Sequence, residues 1–314
     1  MKKKLSVVDR ILRSSNDKDK IIEKAFNDLS ASNIKTFAST TQGKFPFIGK
    51  LALINRSLSD CKTYLPAYLK EVESDKLIGY AEGLLLSNLS EIKTFLKFEE
   101  RFLNHLLFKN KVDALNVINE IELEFGESYW STSQKYNIQT LNNEECVIPL
   151  DKYNTIDNVF LKMHVNNIVD IDCGYVIEYK DIDAEYKKDS IFSLFNYRVY
   201  GFDSSSTTFD LFDVIRYEIS STLIDLYKAF ELFCYLSILK YDLAFEPYAN
   251  SSLEFTKKIE HYLLINASNV KCDSSNMNLY DKYTDGKYDF VINEMKKDKE
   301  FDISKFNILS KSLS

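Results

Sequence analysis

Arg101 and His105 stand four residues apart in EIKTFLKFEERFLNHLLFKNK, one helical turn, so the two side chains share a face. A guanidinium beside an imidazole can stabilise the charge that develops on a phosphate under attack while the imidazole moves a proton. A second set lies in DIDCGYVIEYKD: Asp170 or Asp172 with Glu178 and Lys180. Two carboxylates and an ammonium group at the end of a hairpin can hold Mg²⁺ and orient a water for phosphodiester cleavage. Each set also has a plainer reading. Arg101 and His105 fit a solvated and a half-buried position on an amphipathic helix, and the second set fits surface charges on a connecting segment.

The remaining polar chemistry is sparse. His164 falls on an apolar stripe with Phe160 and Ile168, and His261 follows Lys257, Lys258 and Glu260, which reads as solvated. Cys61, Cys146, Cys173, Cys234 and Cys272 are far apart and contain no Cys-x-x-Cys pair, so they read as reduced, mostly buried residues of a cytoplasmic protein. No Gly-rich phosphate loop, nucleophile elbow or His-Glu-x-x-His pair occurs. The sequence therefore assigns no catalytic, cofactor-binding or metal-binding residue. A net charge of -7 and a pI near 5.3 give no long-range pull toward nucleic acid or anionic lipid. The 20 tyrosines and 22 phenylalanines lack clustered Lys and Arg beside them, so they are expected to fill helix interfaces rather than stack bases.

The elements that would carry these residues read as helices. Eight glycines and four prolines in 314 residues are few for an all-β chain with many tight turns. Residues 91–130 predict a helical hairpin: Ile92, Phe95, Leu96, Phe98, Phe102, Leu103, Leu106 and Leu107 form one stripe. After Lys109-Asn110-Lys111, a second stripe of Val112, Leu115, Ile118, Ile121, Leu123 and Phe125 runs to a capping Gly126. Short helices are expected around Val7–Leu12 and Ile21–Leu29, a surface loop over 30–50, helical periodicity over 51–58 and 64–72, and a buried helix over 77–89. MKKKLSVVDRILRSS has no uninterrupted apolar run and does not read as a signal peptide.

Past Trp130 the chain turns polar, with Pro149, and reads as a loop or boundary. The piece Asp172–Asp181 fits either a short strand pair or a helix. A helix is expected after Ser204–Thr208, and another from Thr222, where Asp225 three residues on makes a weaker form of a capping box. That second helix is nearly all apolar. Asp225, Lys228 and Glu231 give it one polar stripe expected to pair along the surface, which argues against a membrane span. A further helix is expected around 253–265.

YDKYTDGKYDFVINEM resembles the middle of a tetratricopeptide repeat, with Gly286, Tyr288 and Val291 at the turn and contact positions. Val291 stands where that family usually has Ala, and the Trp-Leu-Gly signature and closing Pro are absent. The FGESYW and IRYEISSTLIDLY segments resemble stretches of long bacterial proteins with a helical-repeat body, which implies an accessory role such as defence. The Arg101-to-His105 order resembles the HEPN class of helical ribonucleases, which place four to six residues where Phe102-Leu103-Asn104 supplies three. The Glu178-Tyr179-Lys180 order resembles restriction-type nucleases.

Together these readings predict an all-α chain of antiparallel helical hairpins stacked as a tetratricopeptide-like α-solenoid. Its parts would be an N-terminal helical region over 1–130, an irregular connection over 131–202 and a helical-repeat region over 203–314. FDISKFNILSKSLS would open a further repeat, which leaves an apolar face for a missing repeat or a partner. The expected function is a cytoplasmic protein–protein interaction scaffold that binds a protein partner through an exposed hairpin face. The competing expectation is a nuclease using Asp172, Glu178 and Lys180, or Arg101 and His105.

Overall fold

The computed structural model describes residues 7–44 apart from 13 and 16, then 54–58, 61, 67–107, 110–140, 211–240 and 242–259. Among these the chain is α-helical, with no strand. The expected pieces Asp172–Asp181 and Gly286–Val291 lie outside the described residues. The described chain divides into two units, the first continuing to Leu232 and the second beginning at Phe233.

In the first unit, apolar spacing sets the early helices. α1 (Val7–Leu12) buries Ile11 and Leu12, and α2 (Lys18–Asp28) buries Ile21, Ile22, Ala25 and Phe26. The Asp17 carboxylate accepts the Asp19 N–H at the start of α2, and Lys76 Nζ donates to the Phe26 carbonyl near its end at 2.8 Å. Both ends of α2 are thereby supplied with partners for backbone groups that have none inside the helix.

The loop expected over 30–50 is instead occupied by helix α3 (Ala31–Lys44). Its Ser and Thr content disfavours a helix locally, but burial of Ile34, Phe37 and Ala38 outweighs that preference. Thr36 and Ser39 turn their hydroxyls back onto the Ser32 and Thr36 carbonyls, so neither competes for a helix-breaking bond. The partner of α3 is α5 (Ser74–Ser87), which buries Leu77, Ile78, Tyr80, Leu84 and Leu85; the buried helix expected over 77–89 ends at Ser87, and Leu86, expected inside, is half-buried. Gly79 and Gly83 let the two backbones close together. A Cβ on Gly79 would stand 2.8 Å from the Ala31 carbonyl oxygen, and one on Gly83 would stand 2.5 Å from that of Lys35 and 2.7 Å from the Ala38 Cβ. At this crossing Lys35 Nζ reaches the buried Glu82 carboxylate at 2.5 Å.

Residues 54–57, expected to be helical, are not, and Leu58 stands in a 3-10 turn. The run buries Ile54 and Leu58. In the 64–72 segment one helical turn forms, α4 (Ala67–Lys70).

The hairpin is present as α6 (Leu89–Leu107) and α7 (Lys111–Phe125), packed on each other. Its buried stripe on α6 is Ile92, Phe95, Glu99 and Phe102, so a carboxylate sits on the core face. On α7 the buried stripe is Ala114, Val117, Ile118 and Ile121. Val112 and Leu123, expected inside, are 71% and 86% exposed because they lie on the opposite side of the helix. Gly126 caps α7 with φ 85, a positive angle that L side chains rarely adopt. Its ψ of 167 takes it outside the left-handed helical region, and a Cβ there would strike the Arg56 carbonyl.

The polar segment after Trp130, expected as a loop, begins as helix α8 (Tyr129–Thr140), which spans the expected 130/131 boundary. α9 (Leu211–Glu218) and α10 (Leu223–Leu239) follow where helices are expected. No helix among the described residues is long and apolar enough to cross a membrane.

The second unit takes over within α10 at Phe233. Phe233 meets Phe245 and Tyr248 edge-on, with centroids at 5.9 and 5.2 Å. Pro247 sits in a 3-10 turn, Glu246–Tyr248, that leads into α11 (Ala249–Ile259), whose inner face carries Ser252, Phe255, Thr256 and Ile259.

Phe26 of α2 packs against Tyr68 and Tyr80, with centroids at 6.2 and 4.9 Å. Burial, reinforced by Asp19, raises the Tyr68 phenol above its ordinary pKa, and burial also raises Tyr80. The stabilisation these neutral phenols give is therefore complete below the unfolded tyrosine pKa of about 10 and is lost as pH rises above it. Urea midpoints should fall above about pH 10, and Tyr68→Phe should flatten that fall while changing neutral-pH stability by no more than about 1 kcal/mol. Parallel alkaline slopes for the two proteins would contradict this assignment.

Candidate functional site

Arg101 projects from an exposed face of α6, where its partner is Glu120 of α7. Nη1 lies 2.9 Å from Oε2 and Nη2 lies 3.4 Å from Oε1, with the guanidinium 5.5 Å from the Phe98 ring centre. His105 is half-buried in the last turn of α6, and its carbonyl accepts the Asn110 N–H at 2.8 Å. The hairpin thus holds Arg101 to a carboxylate of the facing helix. Asp170, Asp172, Glu178, Lys180, His164 and His261 lie outside the described residues. Among the described residues no cluster of three His, Cys, Asp or Glu is placed to hold a metal ion.

Among the described residues a dense polar grouping is buried where α7 meets α8 and α10 begins. Ser128 precedes α8 and exchanges bonds with Ser131: each backbone N–H donates to the other hydroxyl at 3.0 Å. Ser131 Oγ also reaches Glu122 Oε1 at 3.0 Å, and the second Glu122 oxygen takes Lys135. This reciprocal cap explains how a Ser- and Thr-rich segment starts a helix.

Asp225 completes that start from 95 residues away. Its Oδ1 accepts the Trp130 N–H at 2.9 Å, and its Oδ2 accepts the Tyr129 N–H at 3.0 Å. Oδ2 also takes the Thr222 hydroxyl at 2.8 Å and the Ser221 hydroxyl at 3.2 Å. The expected capping box of Thr222 and Asp225 forms in half: the Asp225 N–H donates to Thr222 Oγ1 at 3.3 Å, while the carboxylate turns to α8. Asp225 is 4% exposed, so the positive ends of α8 and α10 and four donors hold a carboxylate away from water.

One turn on, Lys228 is 7% exposed. Its Nζ lies 2.7 Å from Glu99 Oε1 and 2.8 Å from Glu231 Oε2, and the Tyr227 hydroxyl donates to the second Glu231 oxygen at 3.2 Å. The rings of Phe95, Trp130 and Tyr227 surround the ammonium, with centres at 5.7, 5.9 and 5.5 Å. The stripe expected to pair along the surface is therefore an internal seam. α6 supplies Glu99, and α8 supplies Trp130. The sequence did carry a signal for Glu99, which stands four residues after Phe95 and three before Phe102, on the apolar stripe itself.

Over the described residues, the fold and this seam define an all-α arrangement whose charged core joins helices distant in sequence. The chain matches no protein-family model, no curated protein and no solved structure.

A buried ion pair is far more costly to break than to replace. Lys228→Met should lower unfolding free energy by about 3–5 kcal/mol, because the Glu99 charge stays buried without it. Adding Glu99→Leu should recover much of that loss. Additive losses in the double-mutant cycle, read by chemical denaturation, would deny the pairing.

Proposed function

We propose that the protein is a cytoplasmic interaction scaffold built from helical hairpins of the solenoid kind, and that the outer face of α7 receives a protein partner. The observation that carries this reading is the pair Val112 and Leu123, 71% and 86% exposed. They are eleven residues apart, which on an α-helix returns to the same face. Two large apolar anchors recurring three turns apart on one exposed helical face suit the groove of a partner, and the polar residues between them, Asn116 and Asn119, give that face a hydrogen-bonding component. The buried seam supports the same reading, since it fixes the inner face of the hairpin and leaves the outer face to be presented rigidly.

The test compares capture of host proteins by the immobilised wild-type chain and by Val112→Glu/Leu123→Glu, with circular dichroism to show that the variant keeps its helices. A stoichiometric partner lost by at least about tenfold in the variant is expected. Equal capture by both proteins, or none by either, would defeat the proposal. Nucleic-acid cleavage that disappears in Arg101→Ala or His105→Ala would favour the competing nuclease reading.

A further inference from the structure

Residues 54–58 run as a short strap, with no α-helix in it, over two helix corners of the first unit. At the α7–α8 corner, the Leu58 N–H donates to the Glu127 carbonyl at 2.8 Å, and Gly126 has no side chain where one would strike the Arg56 carbonyl. At the α9–α10 corner, Asn55 forms a parallel bridge with Thr222, and its Nδ2 donates to the Ser220 carbonyl at 2.6 Å. The buried side chains of Ile54 and Leu58 anchor the strap at both ends.

These same corners carry the groups that meet at Asp225. The Tyr129 and Trp130 N–H groups follow the first corner, and the Ser221 and Thr222 hydroxyls lie on the second. The carboxylate can accept from both only while the corners stay within hydrogen-bonding distance, and the strap spans them on its own bonds. We propose that the strap and the Asp225 grouping open and close as one cooperative unit, which makes residues 54–58 a latch on the start of α8. Lifting the strap separates the corners and frees the first-turn N–H groups of α8. Losing the carboxylate loosens the corners and releases the strap. The unit does not include the tightly crossed α3 and α5, so it opens while that crossing stays closed.

Amide hydrogen exchange on the full chain tests the coupling, because one perturbation of a cooperative unit speeds exchange throughout it by a common factor. Asn55→Ala should accelerate the Leu58, Tyr129 and Trp130 amides together by about 5- to 30-fold, the scale of one lost buried hydrogen bond. The Leu84 and Leu85 amides of α5 should not change. Asp225→Asn, acting from the other side, should accelerate the same three amides by its own common factor. If Asn55→Ala moves Leu58 alone, or Asp225→Asn leaves Leu58 unmoved, the strap and carboxylate are independent and the proposal fails. Equal acceleration in α5 would also overturn it, since the amides would then be reporting global unfolding.

Discussion

A carboxylate shielded from water is tolerable only where donors replace its hydration, and Asp225 has four from two corners of the chain. Two are first-turn N–H groups of α8, which also need partners because a helix supplies none for its own opening donors. The need is mutual, and it fixes the start of α8 against the start of α10. Tyr129 and Trp130 are placed by that contact, and Trp130 in turn packs edge-on against Phe95 and Phe102 of α6, with centroids at 5.2 and 5.9 Å. The hairpin α6–α7 is thus joined to α10 through α8 by one hydrogen-bonded carboxylate side chain and the rings it positions.

Lys228 extends this logic. An ammonium group inside the unit gains direct attraction from Glu99 and Glu231 and a softer one from three ring faces. Replacing such a seam with aliphatic side chains could leave stability unchanged or raise it. What the charges add is selectivity of packing: sliding α10 along α6 by one turn would bring Asp225 or Glu231 to the place of Lys228 opposite Glu99, a buried pairing of like charges that costs several kcal/mol. Directional partners therefore set the register where Phe and Leu side chains alone would accept several.

Much of the helical content was legible because apolar residues recur at helical spacing in α1, α2, α5, α6 and α7. Helices α3 and α8 were not legible. Each is rich in Ser, Thr or Asn and is stabilised by something remote in sequence: Gly79 and Gly83 for α3, and Asp225 for α8. The polar grouping was hidden for a related reason. Asp225, Lys228 and Glu231 at three-residue steps look like a wetted stripe on one helix, and only the arrival of Glu99 and the α8 N-terminus makes burial affordable. Val112 and Leu123 failed in the opposite sense, since residue type suggested a core position and helical phase places them outside. Arg101 and His105 were correctly expected on one helix, but the carboxylate that Arg101 meets comes from across the hairpin.

Asp225 holds two parts of the first unit together through the hydrogen bonds to its carboxylate, and equilibrium unfolding of Asp225→Ala tests this most directly. Removing the carboxylate strands two buried N–H groups, so a loss of about 3 kcal/mol or more is predicted, along with reduced helical signal from α8. A variant within about 0.5 kcal/mol of the wild type, as expected for an ordinary surface substitution, would contradict the account.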